Sequence, residues 1–260
     1  MAGLVKSIKS SIPNILTMIN LLAGCISILL SFYDLALAGL LVFLAGILDF
    51  ADGMAARILD AYSDFGKELD SLADMVSFGV APSFILFQLL LASLLAGDPS
   101  FGIDRPATGD MLILSASFLP AMFAAIRLAK FNLESTSKDS FSGLPSPAAG
   151  IFFASAGYIF LTTETLWIRE ILMNTTVLMV LNICISLLMV IPLPMFNIKF
   201  RNFSPGENKV RYLFAIPSLA MLVFGGLQSI PAIILFYIFL SLVLFLGSKL
   251  PAKKNVRKIR

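Results

Sequence analysis

Residues 49–74 read DFADGMAARILDAYSDFGKELDSLAD, seven acidic residues in a chain that is otherwise strongly apolar. Four of the seven form two helical pairs, Asp49 with Asp52 at i, i+3 and Asp70 with Asp74 at i, i+4. At about 100° per residue, each pair shares one face of a helix. Gly53, Ala55, Ala56, Arg57 and Gly66 lie between the pairs. Two facing helices, each offering a carboxylate pair, are what a two-metal site requires. Asp60, Asp64, Lys67 and Glu68 read as solvated residues of the turn that joins them.

The rest of the chain says where that helix pair sits. Of 260 residues, 58% are hydrophobic and only 13% charged, and the mean hydropathy is +0.92. A soluble domain carries roughly 25% charged residues. The expected fold class is therefore an all-α polytopic membrane protein, a helical bundle of about eight transmembrane helices. The spans run over about Pro13–Phe32, from just after the short turn Phe32-Tyr33-Asp34 to Leu59, Leu69–Ala96, Met111–Lys130, Pro145–Leu161, Val177–Phe196, Tyr212–Gly225 and Pro231–Leu246. Residues 1–12 form a short basic amphipathic lead-in, 13–248 a single transmembrane catalytic domain, and 249–260 a basic tail. There is no His, which removes imidazole as base, ligand or pH switch. Cys25 and Cys184 lie in apolar runs without a CxxC and read as packing residues.

Placing the N-terminus in the cytoplasm and alternating spans puts 17 of the 19 Lys and Arg on the inside, with only Arg105 and Arg169 outside. That is the positive-inside pattern. It sets the acidic turn, and both termini, at the cytoplasmic face.

A carboxylate inside a membrane helix costs at least ~2.5 kcal/mol by insertion scales. Four together need cations or water. Oxygen ligands without His or Cys select hard ions, so Mg²⁺ or Mn²⁺ is expected, as two ions that bridge a phosphate. Gly53 clears a side chain beside Asp52, and Arg57 follows on a near face, where a guanidinium suits a diphosphate. Asn14 and Thr17, at i, i+3 near Pro13, present polar groups to one ligand or else cap and bond their own helix. Asn20 lies one turn on.

The pattern Asp49-x2-Asp52-Gly53-x2-Ala56-Arg57-x8-Gly66-x3-Asp70-x3-Asp74 resembles, without departure, the signature of the CDP-alcohol phosphotransferases. The resemblance implies a homodimer with a six-helix core, to which two helices are added here, and displacement of CMP from a CDP-linked donor by an alcohol. It implies that Asp49, Asp52, Asp70 and Asp74 bind the metals and that Asp74 is also the catalytic base. It further implies that Asn14, Thr17, Asp49, Gly53, Arg57 and Ser63 bind the CDP-diacylglycerol donor.

Two further stretches bear on the alcohol. Ser77–Pro82 reads SFGVAP; Arg127–Asn132 reads RLAKFN, followed by FSGLPSP at Phe141–Pro147. Arg127 suits an anionic acceptor, or else is a positive-inside flank. Together these stretches resemble the bacterial integral-membrane phosphatidylserine synthases, a branch of the same family. That resemblance covers roughly Pro13–Ala149 and implies L-serine as acceptor, with Arg127 and Asn132 holding it and the Phe141–Pro147 turn closing the site. Glycerol 3-phosphate or inositol phosphate would use the same basic residues. A cation transporter is the reading from another class, but its sites favour the bilayer midplane, and an arginine among the ligands opposes a cation path. An aspartate-rich prenyl transferase would not show this spacing.

Overall fold

The computed structural model describes residues 2–97, 106–133, 141–196, 204, 206 and 208–249, with the backbone alone for 2–10, 141–142 and 248–249. Arg105, Lys138, Lys199, Arg201 and the tail beyond Lys249 lie outside the described residues.

Helix α1 (Ala2–Leu30) is joined by a tight turn to α2 (Leu35–Ile58). Asp34 caps α2, its carboxylate accepting from the N–H of Ala36 and Leu37. The basic lead-in is not a separate segment. Its backbone continues α1, so Pro13 lies within the helix rather than in its first turn. A stripe along α1 and the residue after it, Thr17, Asn20, Gly24, Ser27 and Ser31, is buried against the helices that pack on α1. Its spacing of 3 and 4 keeps these small and polar residues on one face. Ser27 Oγ donates from it to the Ala38 carbonyl at 2.8 Å.

After the acidic turn, α3 (Asp64–Asp74), a π-helical segment (Met75–Val80) and α4 (Ala81–Gly97) make one long rod. The π segment has a cause. Pro82 carries no N–H for the Phe78 carbonyl and its ring crowds that oxygen, so the turn widens and the Ala81 N–H bonds Val76 instead. The displaced Phe78 carbonyl is housed by α7 (Ser146–Thr162), because Gly150 has no side chain there. A Cβ at Gly150 would lie 2.7 Å from both the Phe78 oxygen and Cα.

A second proline shapes the next span. Helices α5 (Thr108–Ala116) and α6 (Leu119–Leu133) break at Ser117–Phe118. Pro120 cannot donate to the Ala116 carbonyl. Asn182 Nδ2 on α9 (Thr175–Val190) supplies that hydrogen bond at 2.7 Å, and Ser186 Oγ donates to the Asn182 Oδ1. A buried amide thus replaces the missing N–H and pins α9 to the break.

Helix α8 (Leu166–Leu172) meets α9 at 69°. The two-residue strands β1 (Phe141–Ser142) and β2 (Pro194–Met195) pair antiparallel, Phe141 with Met195 and Ser142 with Pro194. Helices α10 (Lys209–Gly225) and α11 (Ile230–Lys249) fold back on each other at Gly226, whose φ is +56°. The Phe214 ring stacks on Phe236 at 5.9 Å, which only a hairpin allows.

Among the described residues, five helical stretches are long and apolar enough to cross a membrane, or six if α8 and α9 form one bent span. Two adjustments relate this to the eight expected spans. The stretch Lys209–Gly247 counts once although it is a hairpin, and α7, at 17 residues, is a shorter apolar helix. By rise, α7 is about 26 Å long, somewhat less than a ~30 Å hydrocarbon core. The fold is an all-α membrane bundle. Its core lies where α2, α4 and α7 meet, through Val42, Ala45, Phe78, Ile85, Leu89 and Phe153, each at most 2% exposed. Cys25 and Cys184 are exposed on the outside of the bundle, so the packing role read from their apolar neighbours does not hold.

Candidate active site

The site is assembled at the turn between α2 and α3. The Ala61 N–H bonds the Ala56 carbonyl and the Asp60 N–H bonds Arg57, with Asp60 itself at φ +49°, so α2 ends in a Schellman-type turn. Ser63 then caps α3, its Oγ accepting from the Gly66 N–H at 3.0 Å. This compact reversal turns the chain back, so that Asp70 and Asp74 of α3 return to Asp49 of α2.

One carboxylate oxygen from each of Asp49, Asp70 and Asp74 lies within 4.8 Å of the others. Octahedral ligands at 2.0–2.1 Å stand about 3.0 Å apart when adjacent and about 4.2 Å when opposite. The 4.8 Å bound stands slightly above the larger spacing, so a small inward movement of the trio would bring it onto one shared hard cation. Asp70 Oδ1 and Asp74 Oδ1 are both buried and have no hydrogen-bond partner among the described residues. Buried, unmatched carboxylate oxygens are costly in a protein interior and are what a cation would satisfy. Asp52 is held differently. It is 5% exposed, and its Oδ2 lies 2.7 Å from the Thr17 hydroxyl, which also sits 3.0 Å from the Pro13 carbonyl. Asp74 still interacts electrostatically with Asp49, Asp70 and Asp52, so the four form one cluster.

Around the cluster, Gly53 faces open space: no atom lies within 4 Å of where its Cβ would be. Gly66 is the opposite case, since a Cβ there would come 3.0 Å from Ser63 Oγ and 3.1 Å from Asn14 Oδ1. Asn14, Ser63 and Gly66 are thus neighbours at the start of α3, and Thr17 lies one turn further along α1. Arg57 is exposed at the end of α2. Ser63 Oγ accepts that one bond, and among the described residues its own proton has no acceptor.

The two residues linked to the alcohol sit on α6. Arg127 donates to the Met189 carbonyl at 3.1 Å, near the end of α9. The Gly143 turn closes on the same helix end, with the Leu144 N–H bonding Leu188 and the Gly143 N–H bonding Leu193. Gly143 has φ +78° and lies against the Met189 carbonyl, where a Cβ would approach to 2.6 Å. Asn132 reaches α3 itself. Its Nδ2 donates to Ser71 Oγ at 2.9 Å, and its carbonyl accepts from Lys67 Nζ at 3.2 Å. Ser71 neighbours Asp70 in sequence, so Asn132 ties α6 to the helix that carries two of the acids.

Sequence reasoning gave too little weight to Asn20 and Ser77. Ser77 Oγ donates to the Asn20 carbonyl at 3.0 Å, and Gly24 lets the helices touch there, since a Cβ would meet Ser77 Oγ at 2.6 Å. The signal was the polar stripe on α1, a run of inward-facing small residues in an apolar helix.

A model of the CDP-alcohol phosphatidyltransferase family matches residues 10–188. The chain belongs to this family. The match takes in the four acids and ends within α9, before the C-terminal hairpin. Curated relatives agree. The CDP-diacylglycerol--serine O-phosphatidyltransferase of Methanocaldococcus jannaschii is 31% identical over 216 residues, 83% of this chain and 84% of its own length. The Bacillus subtilis protein of the same name is 39% identical over 141 residues, 54% of this chain and 71% of its own. An archaetidylserine synthase of Methanothermobacter thermautotrophicus is 32% identical over 149 residues, 56% of this chain and 57% of its own. This chain is thus an integral-membrane enzyme of the CDP-alcohol phosphatidyltransferase type.

Proposed function

We propose that this enzyme is a CDP-diacylglycerol–serine O-phosphatidyltransferase, which moves the phosphatidyl group of CDP-diacylglycerol to the hydroxyl of L-serine and releases CMP. The observation that carries the reading is the convergence of Asp49, Asp70 and Asp74 within 4.8 Å beside a Thr17-bonded Asp52. Serine as acceptor rests on the names of the relatives and on the RLAKFN and FSGLPSP stretches.

Asp49, Asp52, Asp70 and Asp74 would hold two divalent ions, Mg²⁺ or Mn²⁺, which supply positive charge to the diphosphate of the donor. Arg57 adds a fixed cation at the same end of α2, suited to a diphosphate oxygen by its planar fork. The open face over Gly53 lets the nucleotide approach the backbone. Asn14, Thr17 and Ser63 border it from α1 and the start of α3. Asp74 takes the proton of the serine hydroxyl. The hydroxyl oxygen bonds to the lipid-side phosphorus while the bond from that phosphorus to the oxygen of CMP breaks. With no His in the chain, a carboxylate is the natural base. Most of the rate comes from positioning and charge stabilisation. Arg127 and Asn132 hold the carboxylate end of serine.

The Lys and Arg distribution favours a cytoplasmic active site and cytoplasmic termini, which suits a bacterial inner membrane. The family resemblance adds a homodimer, to be checked by cross-linking in native membranes.

The test is CMP release from CDP-diacylglycerol by purified protein, with serine, glycerol 3-phosphate or inositol phosphate offered separately. Serine alone drives release, EDTA abolishes it, and Mg²⁺ or Mn²⁺ restores it. Faster release with either phosphate removes serine from the reading. Retention of near wild-type release by Asp74→Asn removes the base.

A further inference from the structure

Asn20 lies on α1 one turn beyond Thr17 and is 0% exposed. Neither its Nδ2 nor its Oδ1 has a hydrogen-bond partner among the described residues. Its backbone is fixed by the Ser77 hydroxyl, three residues past Asp74. Its side chain interacts with the Asp74 carboxylate without closing a bond of normal length, and Asp74 Oδ1 is also unmatched.

A primary amide offers two N–H donors and an acceptor, and burial without partners is unfavourable. An apolar residue of similar size would pack in the same space without that penalty. Buried Asn182, by contrast, uses its Nδ2 on a helix break and its Oδ1 on Ser186; outside the acidic cluster and Asn20, Ser218 Oγ alone among the described residues is likewise unmatched. The orphaned amide of Asn20 stands apart, and it faces the one carboxylate that the reaction needs to be oriented.

We infer that Asn20 is a positioning residue for Asp74, its Nδ2–H donating to one carboxylate oxygen so that the other is turned to the incoming hydroxyl. This rests on the reading of Asp74 as base. The contact shortens when the site is loaded, as catalytic hydrogen bonds do. Asn20 therefore acts on turnover and not on donor affinity, and it lowers the stability of the empty protein.

The test compares Asn20→Leu and Asn20→Ser with wild type in detergent. In EDTA, the Leu variant melts at or above the wild-type temperature, because the unmatched amide is gone. With Mn²⁺, CDP-diacylglycerol and serine, its kcat falls about tenfold or more while KM for CDP-diacylglycerol stays within about twofold. The Ser variant, which keeps a donor, recovers part of that kcat. A Leu variant with kcat within about twofold of wild type overturns the inference, as does a parallel fall of melting temperature and kcat in both variants. If the Leu variant does not fold, the Ser variant decides alone: a kcat loss of about twofold or more at unchanged melting temperature supports the inference, and a smaller loss, or one that follows a fall in melting temperature, overturns it. Asp74→Asn, run beside them, reports on the base itself, so failure of that reading is seen separately.

Discussion

Gly150→Ala is a one-carbon change on α7, outside the acidic cluster, that reaches the chemistry through packing. The added Cβ would stand 2.7 Å from the Phe78 Cα and oxygen and 2.9 Å from its Cβ. Unstrained contacts need about 3.5 Å, so α7 and the π segment must separate by roughly 0.8 Å. The atoms in the way are mostly backbone, held on the other side by the Ala121 and Ala124 contacts of Gly79. No side chain can swing aside. Overpacking of this kind costs about 1–3 kcal/mol, which for a chain of this size lowers the melting temperature by about 2–4 °C per kcal/mol. Phe78 lies four residues beyond Asp74 on the same rod, so the shift is passed to the base. A displacement near 1 Å is enough to reduce turnover about 100-fold. Thermal unfolding in detergent and CMP release are measured together. Gly247→Ala, where a Cβ meets nothing within 4 Å, is the control and leaves both unchanged. A Gly150→Ala protein with wild-type melting and turnover would refute the argument that this glycine sets the position of the rod.

Thr17→Val keeps the shape of the buried side chain but removes the 2.7 Å hydrogen bond to Asp52. A bond to a charged group is worth about 1.5–3 kcal/mol, so kcat/KM for CDP-diacylglycerol falls roughly 10- to 150-fold. Gly53→Ala meets no protein atom within 4 Å; the melting temperature holds while KM for CDP-diacylglycerol rises, as read from initial rates of CMP release. Asn182→Leu strips the Ala116 carbonyl of its donor and lowers stability by about 1–3 kcal/mol, measured by denaturation of the purified protein.

The acidic pairs were legible because carboxylates are rare and costly in apolar helices, and because the spacings 3 and 4 place each pair on one face. The span limits were legible for the same reason, hydropathy changing sign at each turn. Hydropathy has no direction, however. It did not tell the outward-facing Cys25 and Cys184 from core residues, nor show that Asn20 faces inward. The π segment was written in Pro82, a proline well inside a span, but the outcome depended on Gly150, which is remote in sequence and makes room for the freed carbonyl. Asn182 is a similar case. Its partner is created by Pro120, and only the tertiary structure brings the two together.

The widened turn between Asp74 and Ala81 makes α3 and α4 a rod with slack. An α-helix rotates its contents by a fixed angle per residue, so loss of one residue from a regular rod would swing both acids away from α2. A rod that already holds an extra residue can surrender it by tightening to ordinary α-helical pitch. The half beyond the widened turn can then lose one residue while the catalytic half keeps its aim.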